Sequence, residues 1–478
     1  MNAGPGKKAV LLVLILAVGV FYAATLRNGH NPGGDFAQYI LHARNLAEGR
    51  PYADTGYIYN PHFAALGPRS YPPVLPLMLA PLYKCFGLDL FPMKILLVVF
   101  FMLFLAACAA LAMRSLPFPY TAALLLVTGL SPFFWNFKDS IVSDIPFLFL
   151  VFLFLWFTDR KSGVKTESSG VPWGGGLVCG VMMALALGIR TIGIALPLVL
   201  VVDGFYRRRK IDSFTAVSCA VFLALALVQN AAFPGGGSYL DQFRGLTPGV
   251  VLKNAMLYAD AMIRFWDNGS AAWGFLRVPL FLALMLFACA GFWAGMKKPG
   301  PAEWFVLVYL PMVLLWPTPQ GARFLIPVFP LFLFWAFKGL ERVRKLRFRK
   351  TAFWILMAAV AFTYAAKYGT LNFGPIPGGM NDQKRMDCVS FIRSHTLQTD
   401  VFICDEPRFL ALMAGRRATS FFIPRSDAAF WNYASGVHAA YLVVGPGEPG
   451  SIREIVERHM ESLNPVYDKG GFIIYQIR

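Results

Sequence analysis

The sequence predicts a polytopic α-helical membrane protein of about 11 transmembrane helices that carries a small C-terminal α/β domain outside the membrane. Three observations predict it. Of 478 residues, 57% are apolar and only 15% charged, against roughly 45–50% and about 25% in soluble chains. The apolar residues come largely in runs close to the roughly 20 residues that cross a hydrocarbon core. Beyond residue 373 the pattern changes to short strand-like and helix-like segments in alternation. This composition excludes a soluble enzyme, and 44 Phe, 18 Tyr and 11 Trp exclude a disordered or collagenous chain, which lacks such material for burial.

The apolar runs are 9–26, 92–113, 119–137, 140–158, 173–189, 191–205, 211–233, 277–296, 302–317, 322–338 and 351–370. The first follows Lys7 and Lys8 without a small-residue cleavage site, so it reads as a retained span rather than a signal peptide. One further run, 72–87, is short and holds Pro72, Pro73, Pro76 and Pro81. Hydropathy leaves its status open, and charge decides it, because short cytoplasmic loops carry the excess of Lys and Arg. If 72–87 does not cross, the clusters at Arg160, Lys161 and Lys165, at 207–210, at Lys297 and Lys298, and at 338–350 all fall on the side of Lys7 and Lys8. If it does cross, every later cluster flips. The expectation is therefore a re-entrant or juxtamembrane element at 72–87, with the N-terminus cytoplasmic and the chain in the cytoplasmic (inner) membrane. The net charge of +18 then reads as a topology signal, with no nucleic-acid partner, because the clusters lie between spans rather than along one soluble face.

Four segments fall outside by this threading: the loop 27–71, the turn 131–140, the loop 234–275 and the chain 374–478. The expected division is a transmembrane domain over 1–373 and a soluble extracytoplasmic, periplasmic α/β domain over 374–478. In the latter, 400–404, 439–444 and 472–477 are strand-like, whereas 382–395, 407–414 and 451–463 are helix-like. Ser451 followed by Glu454 has the spacing of a capping box. The seven cysteines show no metal-binding spacing. Cys388 and Cys404 lie in the outer domain, an oxidising location that permits a disulfide, although nothing in the sequence sets their separation.

Ionisable groups at membrane depth are costly and mark candidate sites. The first cluster is Gly33-Gly34-Asp35-Phe36-Ala37-Gln38-Tyr39. The helical spacing of Phe36, Tyr39, Ile40, Ala43, Leu46 and Ala47 suits an amphipathic helix on the membrane surface, and Asp35 is either its N-cap or a reactive carboxylate. The second is Lys138-Asp139 with Ser143-Asp144 ahead of a very apolar span, where Asp139 pairs with Lys138 and Asp144 caps a helix unless they serve chemistry. Arg190 and Arg323 stand at the outer ends of spans. There an arginine either snorkels to headgroups or grips a phosphate with its permanent charge.

The order of these features resembles the GT-C fold of integral membrane glycosyltransferases, the superfamily of the protein O-mannosyltransferases and the aminoarabinose transferase of lipid A. The likeness rests on Asp35 in the first outer loop, on the Pro-Pro element in 71–83 that opens Tyr71-Pro72-Pro73-Val74, on Ser131-Pro132 followed by Ser143-Asp144, and on Arg323 with Pro327 and Pro330. It covers most of the chain in order. Many relatives pair two acids in the first loop and place Lys or His before Pro-Pro. Here Phe36 follows Asp35 and Tyr71 precedes the prolines, and no carboxylate cluster fit for a hard cation is visible. The resemblance thus implies a metal-independent subgroup without a cofactor.

It further implies an inverting transfer of a hexosyl or pentosyl group from a polyprenyl-phosphate donor to a hydroxyl on a glycan, lipid or protein acceptor. Asp35 is the expected base and Asp144 its neighbour in orienting or desolvating the site. Arg323, Arg190, Lys138 and Arg69 are the expected phosphate contacts, and Tyr39, Tyr71 and Asp139 line the pocket. The 72–87 element and the 234–275 loop are expected at the lipid entrance and lid. The rivals are a polysaccharide polymerase or ligase of another membrane fold, which concentrates its chemistry in a large central outer loop, and a transporter, which needs repeated halves that the sequence lacks.

Overall fold

The structure, a computed structural model, describes residues 4–162, 173–235, 242–243, 246–342, 349–424, 426–446 and 450–478. Sixteen helices come first: α1 (Pro5–Ala24), α2 (Phe36–Ala47), α3 (Val74–Phe86), α4 (Leu90–Ala112), α5 (Phe118–Gly129), α6 (Pro132–Phe137), α7 (Asp144–Ser162), α8 (Trp173–Ile189), α9 (Ala195–Arg208), α10 (Ser213–Ala232), α11 (Pro248–Arg264), α12 (Arg277–Gly295), α13 (Pro301–Leu314), α14 (Ala322–Leu325), α15 (Val328–Arg342) and α16 (Arg349–Tyr368). Then α17 (Gln383–His395), α18 (Pro407–Ala414), α19 (Asp427–Gly436) and α20 (Gly450–Arg458) alternate with β1 (Val401–Cys404), β2 (Arg417–Ser420), β3 (Ala439–Val444), β4 (Leu463–Lys469) and β5 (Phe472–Ile477).

Each apolar run of the sequence is helical, but two that read as continuous spans, 119–137 and 322–338, are each broken in two. Ser131-Pro132 separates α5 from α6, and Pro327 separates α14 from α15. Among the described residues five helices are long and apolar enough to cross a membrane: Pro5–Ala24, Leu90–Ala112, Ser213–Ala232, Gly274–Gly295 and Lys350–Tyr368. They turn large apolar side chains outward, among them Val20, Leu227, Leu286 and Trp354, each more than half exposed. In water such faces would be unstable, and in lipid they are solvated. The protein is a multi-pass membrane protein.

Close backbone approach holds the bundle where hydrophobicity gives no drive between helices. On α12, a Cβ on Gly291 would lie 2.0 Å from the Trp335 carbonyl of α15, and one on Gly339 would lie 1.9 Å from the Phe287 carbonyl. Only glycine fits at this crossing. The glycines of α8 do the same against α10, where Gly180 meets Val221 at 2.6 Å.

The bundle has two chemically different ends. At one, Arg114 pairs with Asp159, Arg207 with Asp203 and Lys338 with Glu303, and a single cavity is lined by Arg114, Asp159, Arg207, Lys298, Glu303 and Lys338. The basic loops thus gather together as far as they are described; Lys165 and 343–348 lie outside the described residues. At the other end the chain leaves α1, forms α2 and α3, and enters α4. Val74, at the start of α3, lies against Gly188 of α8, and Lys94, near the start of α4, reaches the carbonyls of Arg27 and Gly29 beyond α1. Both ends of α3 therefore lie at the same end of the bundle.

The helix predicted for the membrane surface, α2, is not surface-bound. Phe36, Ile40 and Leu41 are fully buried, and so are Gln38, His42 and Asn45 on its polar face. The reason is the loop that follows, which folds back over that face. His42 Nδ1 donates to the Tyr52 carbonyl at 2.8 Å, Asn45 donates to the Asp54 carbonyl at 2.8 Å and Gln38 to Thr55 at 3.2 Å. The amphipathic pattern marks a core face and a loop-covered face rather than lipid and water. The 234–275 segment likewise contains a helix, α11, begun by the Thr247 cap and Pro248.

The C-terminal strands form a sheet in the order β2-β1-β3-β5-β4. β1 is parallel to both β2 and β3, and β5 is antiparallel to β3 and β4. Alternate residues face opposite sides: Phe402 and Cys404 pack with α17, α18 and α2, whereas Ile403 packs with α19 and α20. The first core therefore joins residues on both sides of 374. The first loop also extends the sheet, because Ile58 N–H donates to the Ala418 carbonyl and Ala418 N–H donates to the Gly56 carbonyl. Cys388 and Cys404 are buried thiols with no disulfide between them. The α20 helix begins at Gly450, and the side chain of Ser451, the expected cap, lies outside the described residues.

Candidate active site

Four breaks in regular structure bring charge to one open cavity at the α2 end of the bundle. Asp35 immediately precedes α2, and Asp144 is the first residue of α7. Arg190 is extended, with φ −144° and ψ 134°, between α8 and the 3-10 turn Thr191–Ile194. Arg323 sits on the single turn of α14, launched by Gly321 at φ +56°, a left-handed conformation that costs glycine little.

Asp35 does not cap α2. Its backbone is helical, its side chain makes no capping bond, and both its oxygens are taken by partners from afar. Oδ2 accepts from Arg323 Nη2 at 3.0 Å, and Oδ1 accepts from the Tyr71 hydroxyl at 2.7 Å and from Arg408 Nη1 at 3.3 Å. Asp144 is fully buried and bonds Arg323 Nη2 at 2.7 Å and Arg190 Nη1. One guanidinium, that of Arg323, thus bridges the two carboxylates. Arg190 is not a headgroup snorkel, since it pairs with Asp144 and lies 5.6 Å from the Phe324 ring centre. Among the described residues three guanidiniums face two carboxylates here, an excess of one cationic group at a partly desolvated site. Arg323 Nε is buried and has no hydrogen-bond partner among the described residues.

The electrostatics follow from this geometry. Burial pushes the Asp35 carboxyl up, but Arg323, Arg408 and the Tyr71 hydroxyl together outweigh it and hold it below its ordinary value. Asp35 is therefore ionised at neutral pH. Behind it, burial pushes His42 down to about 3, so its ring is neutral. Nδ1 donates to Tyr52 and Nε2 accepts from Tyr71 N–H at 3.2 Å. The Tyr52 hydroxyl donates to the Tyr71 carbonyl at 2.7 Å. These bonds fix the Tyr71 backbone, and hence the phenol that holds Asp35.

Of the residues expected at the site, Asp35, Arg190, Arg323, Tyr39 and Tyr71 line this one cavity, and Asp144 is buried behind it, bonded to Arg190 and Arg323. Tyr39 donates to Ser143 at 2.9 Å. Lys138 and Asp139 lie elsewhere, in a second cluster. There Asp139 accepts from Lys138 at 2.8 Å, from Arg27 Nε at 2.8 Å and from Arg27 N–H at 2.9 Å, with Lys94 at 3.8 Å. Arg69 points away, its Nε donating to the Ala53 carbonyl, and it lines a different cavity with Asp54 and Arg417.

Sequence reading missed Arg408. It is buried between the Tyr57 and Tyr71 rings, 4.7 and 4.8 Å from their centres, and donates to the Leu66 carbonyl at 2.6 Å. A signal was present: Arg408 is the second residue of α18, and a cation in a first turn opposes the helix dipole, so it needs another reason to be there. Among the described residues no three His, Cys, Asp or Glu side chains form a group fit for a metal.

No protein-family model matches the chain, and no curated protein matches it by sequence. Solved structures do match. ArnT from Cupriavidus metallidurans bound to undecaprenyl phosphate aligns with TM-score 0.57 at 14% identity, over 99% of this chain and 98% of that one. The oligosaccharyltransferase AglB from Archaeoglobus fulgidus, in complex with an inhibitory peptide and a dolichol-phosphate, aligns with TM-score 0.64 at 13% identity, over 99% and 74%. The arabinofuranosyltransferase AftD from Mycobacteria aligns with TM-score 0.58 at 12% identity, over 98% of this chain and 40% of that one. The chain has the GT-C fold of these membrane glycosyltransferases.

Proposed function

We propose that the protein is an inverting, metal-independent membrane glycosyltransferase. It moves a hexosyl or pentosyl group from a polyprenyl-phosphate donor to a hydroxyl of a glycan, lipid or protein acceptor at the outer face of the cytoplasmic membrane. The observation that carries this reading is the Asp35–Arg323–Asp144–Arg190 constellation: an ionised carboxylate beside a net positive cavity, in a fold whose solved neighbours include one bound to undecaprenyl phosphate.

In the proposed reaction the acceptor hydroxyl gives its proton to Asp35 as its oxygen bonds to the anomeric carbon. The bond from that carbon to the phosphate oxygen breaks on the opposite side, and its electron pair leaves with the phosphate. Negative charge grows there, and Arg323 and Arg190 stabilise it. Arg323 has a buried, unused Nε donor for this purpose. The same arginine also tunes the base. While it pairs with Asp35 it weakens that carboxylate's hold on a proton, and a donor phosphate that draws Arg323 away raises Asp35 toward the range where a base is effective. Donor binding thus prepares acceptor activation. Both carboxylates already face guanidiniums, which supply the positive charge a divalent cation brings elsewhere, so no metal is invoked.

The transmembrane part is proposed as 1–373 and the extracytoplasmic part as 374–478, with α3 at the outer surface and the basic end cytoplasmic. Single cysteines at 298 and 435, in a background without the exposed Cys85 and Cys289, test this in sealed cells. An impermeant reagent should modify 435 and spare 298, and the opposite pattern rejects the orientation. For the reaction, the protein in lipid discs is offered polyprenyl-phosphate sugars and cell-envelope acceptors. Donor-dependent appearance of glycosylated product, abolished by Asp35→Asn, supports the reading. Failure of undecaprenyl phosphate to shift thermal stability in wild type more than in Arg323→Ala rejects it. The polymerase rival required a different membrane fold, and the GT-C fold stands against it.

A further inference from the structure

A second cavity opens in the C-terminal sheet domain. Its position follows from topology. β1 leads through α18 to β2 on one side, whereas β3 lies on the other side of β1. The connections part between the carboxyl ends of β1 and β3, where open parallel sheets leave a ligand crevice. The cavity is bounded by residues directly after these strands: Asp405 and Glu406 after β1, Gly445 and Pro446 after β3.

Its charged groups are held but not consumed by the protein. The Arg385 guanidinium lies 5.8 Å from the Phe409 ring centre and 5.1 Å from that of Phe472, and its buried Nε has no hydrogen-bond partner among the described residues. Glu406 is half-buried. Burial, then the charge of Asp405, pushes its carboxyl up to about 7. Near neutral pH Glu406 is then only partly ionised, so the crevice, which also holds Asp405 and Arg385, carries little net charge. Unused donors and acceptors around it suit neighbouring hydroxyls, each of which can both donate and accept.

The crevice also adjoins the candidate active site. A Cβ on Gly33 would lie 2.8 Å from Glu406 Oε1, and Gly33 is two residues before Asp35. The α18 helix stands between the two cavities, with Glu406 and Phe409 lining one and Arg408 bonded to Asp35 in the other. We propose that this crevice binds a sugar ring of the acceptor, a neutral polyhydroxylated ligand held by Arg385, Asp405 and Glu406 beside the loop that carries the base. Only the ligand's standing as acceptor rests on the glycosyl-transfer reading; sugar binding itself is measurable without turnover.

Saturation-transfer NMR on the full-length protein in lipid discs, with a panel of neutral pentoses, hexoses and their disaccharides, tests the proposal. At least one sugar should receive saturation, weakened at least about tenfold by Arg385→Gln and by Glu406→Ala and retained by Asp35→Asn. No signal from any sugar, a signal that survives both crevice variants, or one lost only in Asp35→Asn overturns it. Should the variants not fold, the wild-type protein decides, because the chain just after β1 and β3 bounds the crevice. A bound sugar should slow backbone amide exchange at 405, 406 and 445, read by hydrogen-exchange mass spectrometry, and unchanged exchange overturns the proposal. An absence of transferase activity alongside a positive binding result would reject the reaction and leave the sugar site standing.

Discussion

Two buried ion clusters stand at the same end of the bundle, and their acids are only five residues apart in sequence, at Asp139 and Asp144. In the Asp139 cluster every group is used to join chain segments. Asp139 holds both the backbone and the side chain of Arg27, and Lys94 clasps the carbonyls of Arg27 and Gly29. Lys138 also lies 3.9 Å from the Trp135 ring centre. The result is a pin between the end of α1, the start of α4 and the turn after α6. In the Asp144 cluster the same residue types enclose a cavity, and one arginine divides itself between two carboxylates while keeping a donor unused. Chemistry needs charges that can be re-partnered, and the pin has none.

That contrast predicts opposite phenotypes. The largest effect should come from Asp139→Ala, which leaves the cations of Arg27, Lys94 and Lys138 without a counter-charge. Losing one partner of a buried ion pair costs about 3–5 kcal/mol, so thermal unfolding should move sharply down. An unchanged midpoint with a lost transfer rate would move Asp139 into the reaction and erase the contrast. Next, Asp35→Asn should lower turnover by at least about 100-fold while stability and lipid-donor binding stay near wild type. Near-normal activity would make Asp144 the next candidate base.

Arg323→Ala should be smaller and of another kind, a loss of about 10–100-fold shared between donor affinity and turnover, since the phosphate is present in both ground and transition states. Intact donor affinity, read by titration with undecaprenyl phosphate, would deny Arg323 the phosphate. The finest test is Arg408→Met. Charges facing Asp35 come from Arg323 and Arg408, with Tyr71 as a neutral donor and Asp144 sharing Arg323. Removing one cation raises the Asp35 pKa, so the acid limb of kcat/KM should move to higher pH, with partial return in Arg408→Lys. A uniform loss of rate at every pH would leave Arg408 a structural role only.

Much of the fold is legible in the sequence. The apolar runs mark the helices because lipid demands internally satisfied backbone over a set length, and the basic loops gather at one end. Asp35, Asp144, Arg190 and Arg323 stand out because ionisable groups near membrane depth are expensive. The run 119–137 read as one span, and Ser131-Pro132 breaks it into two helices. Composition left role and environment open, although Lys138 and Asp139 do pair as the sequence allowed. Lys138, Asp139 and Arg69 share the composition of site residues and lie outside the cavity, Asp35 is not an N-cap, and the polar face of α2 meets a folded loop rather than water.

The sequence by itself determined which segments are helical, which loops are basic and which acids and arginines are unusual enough to explain, since those follow from local composition and period. Tertiary structure alone decided which charge meets which. Asp35 pairs across 288 residues with Arg323 and across 373 with Arg408, and Asp144 across 179 with Arg323. An ion pair depends on a few ångströms of separation and on the burial around it, and neither is encoded within a helix turn or a strand repeat. Arg408 enters the site only because α18 packs on α2 through a core shared by the first loop and the last domain.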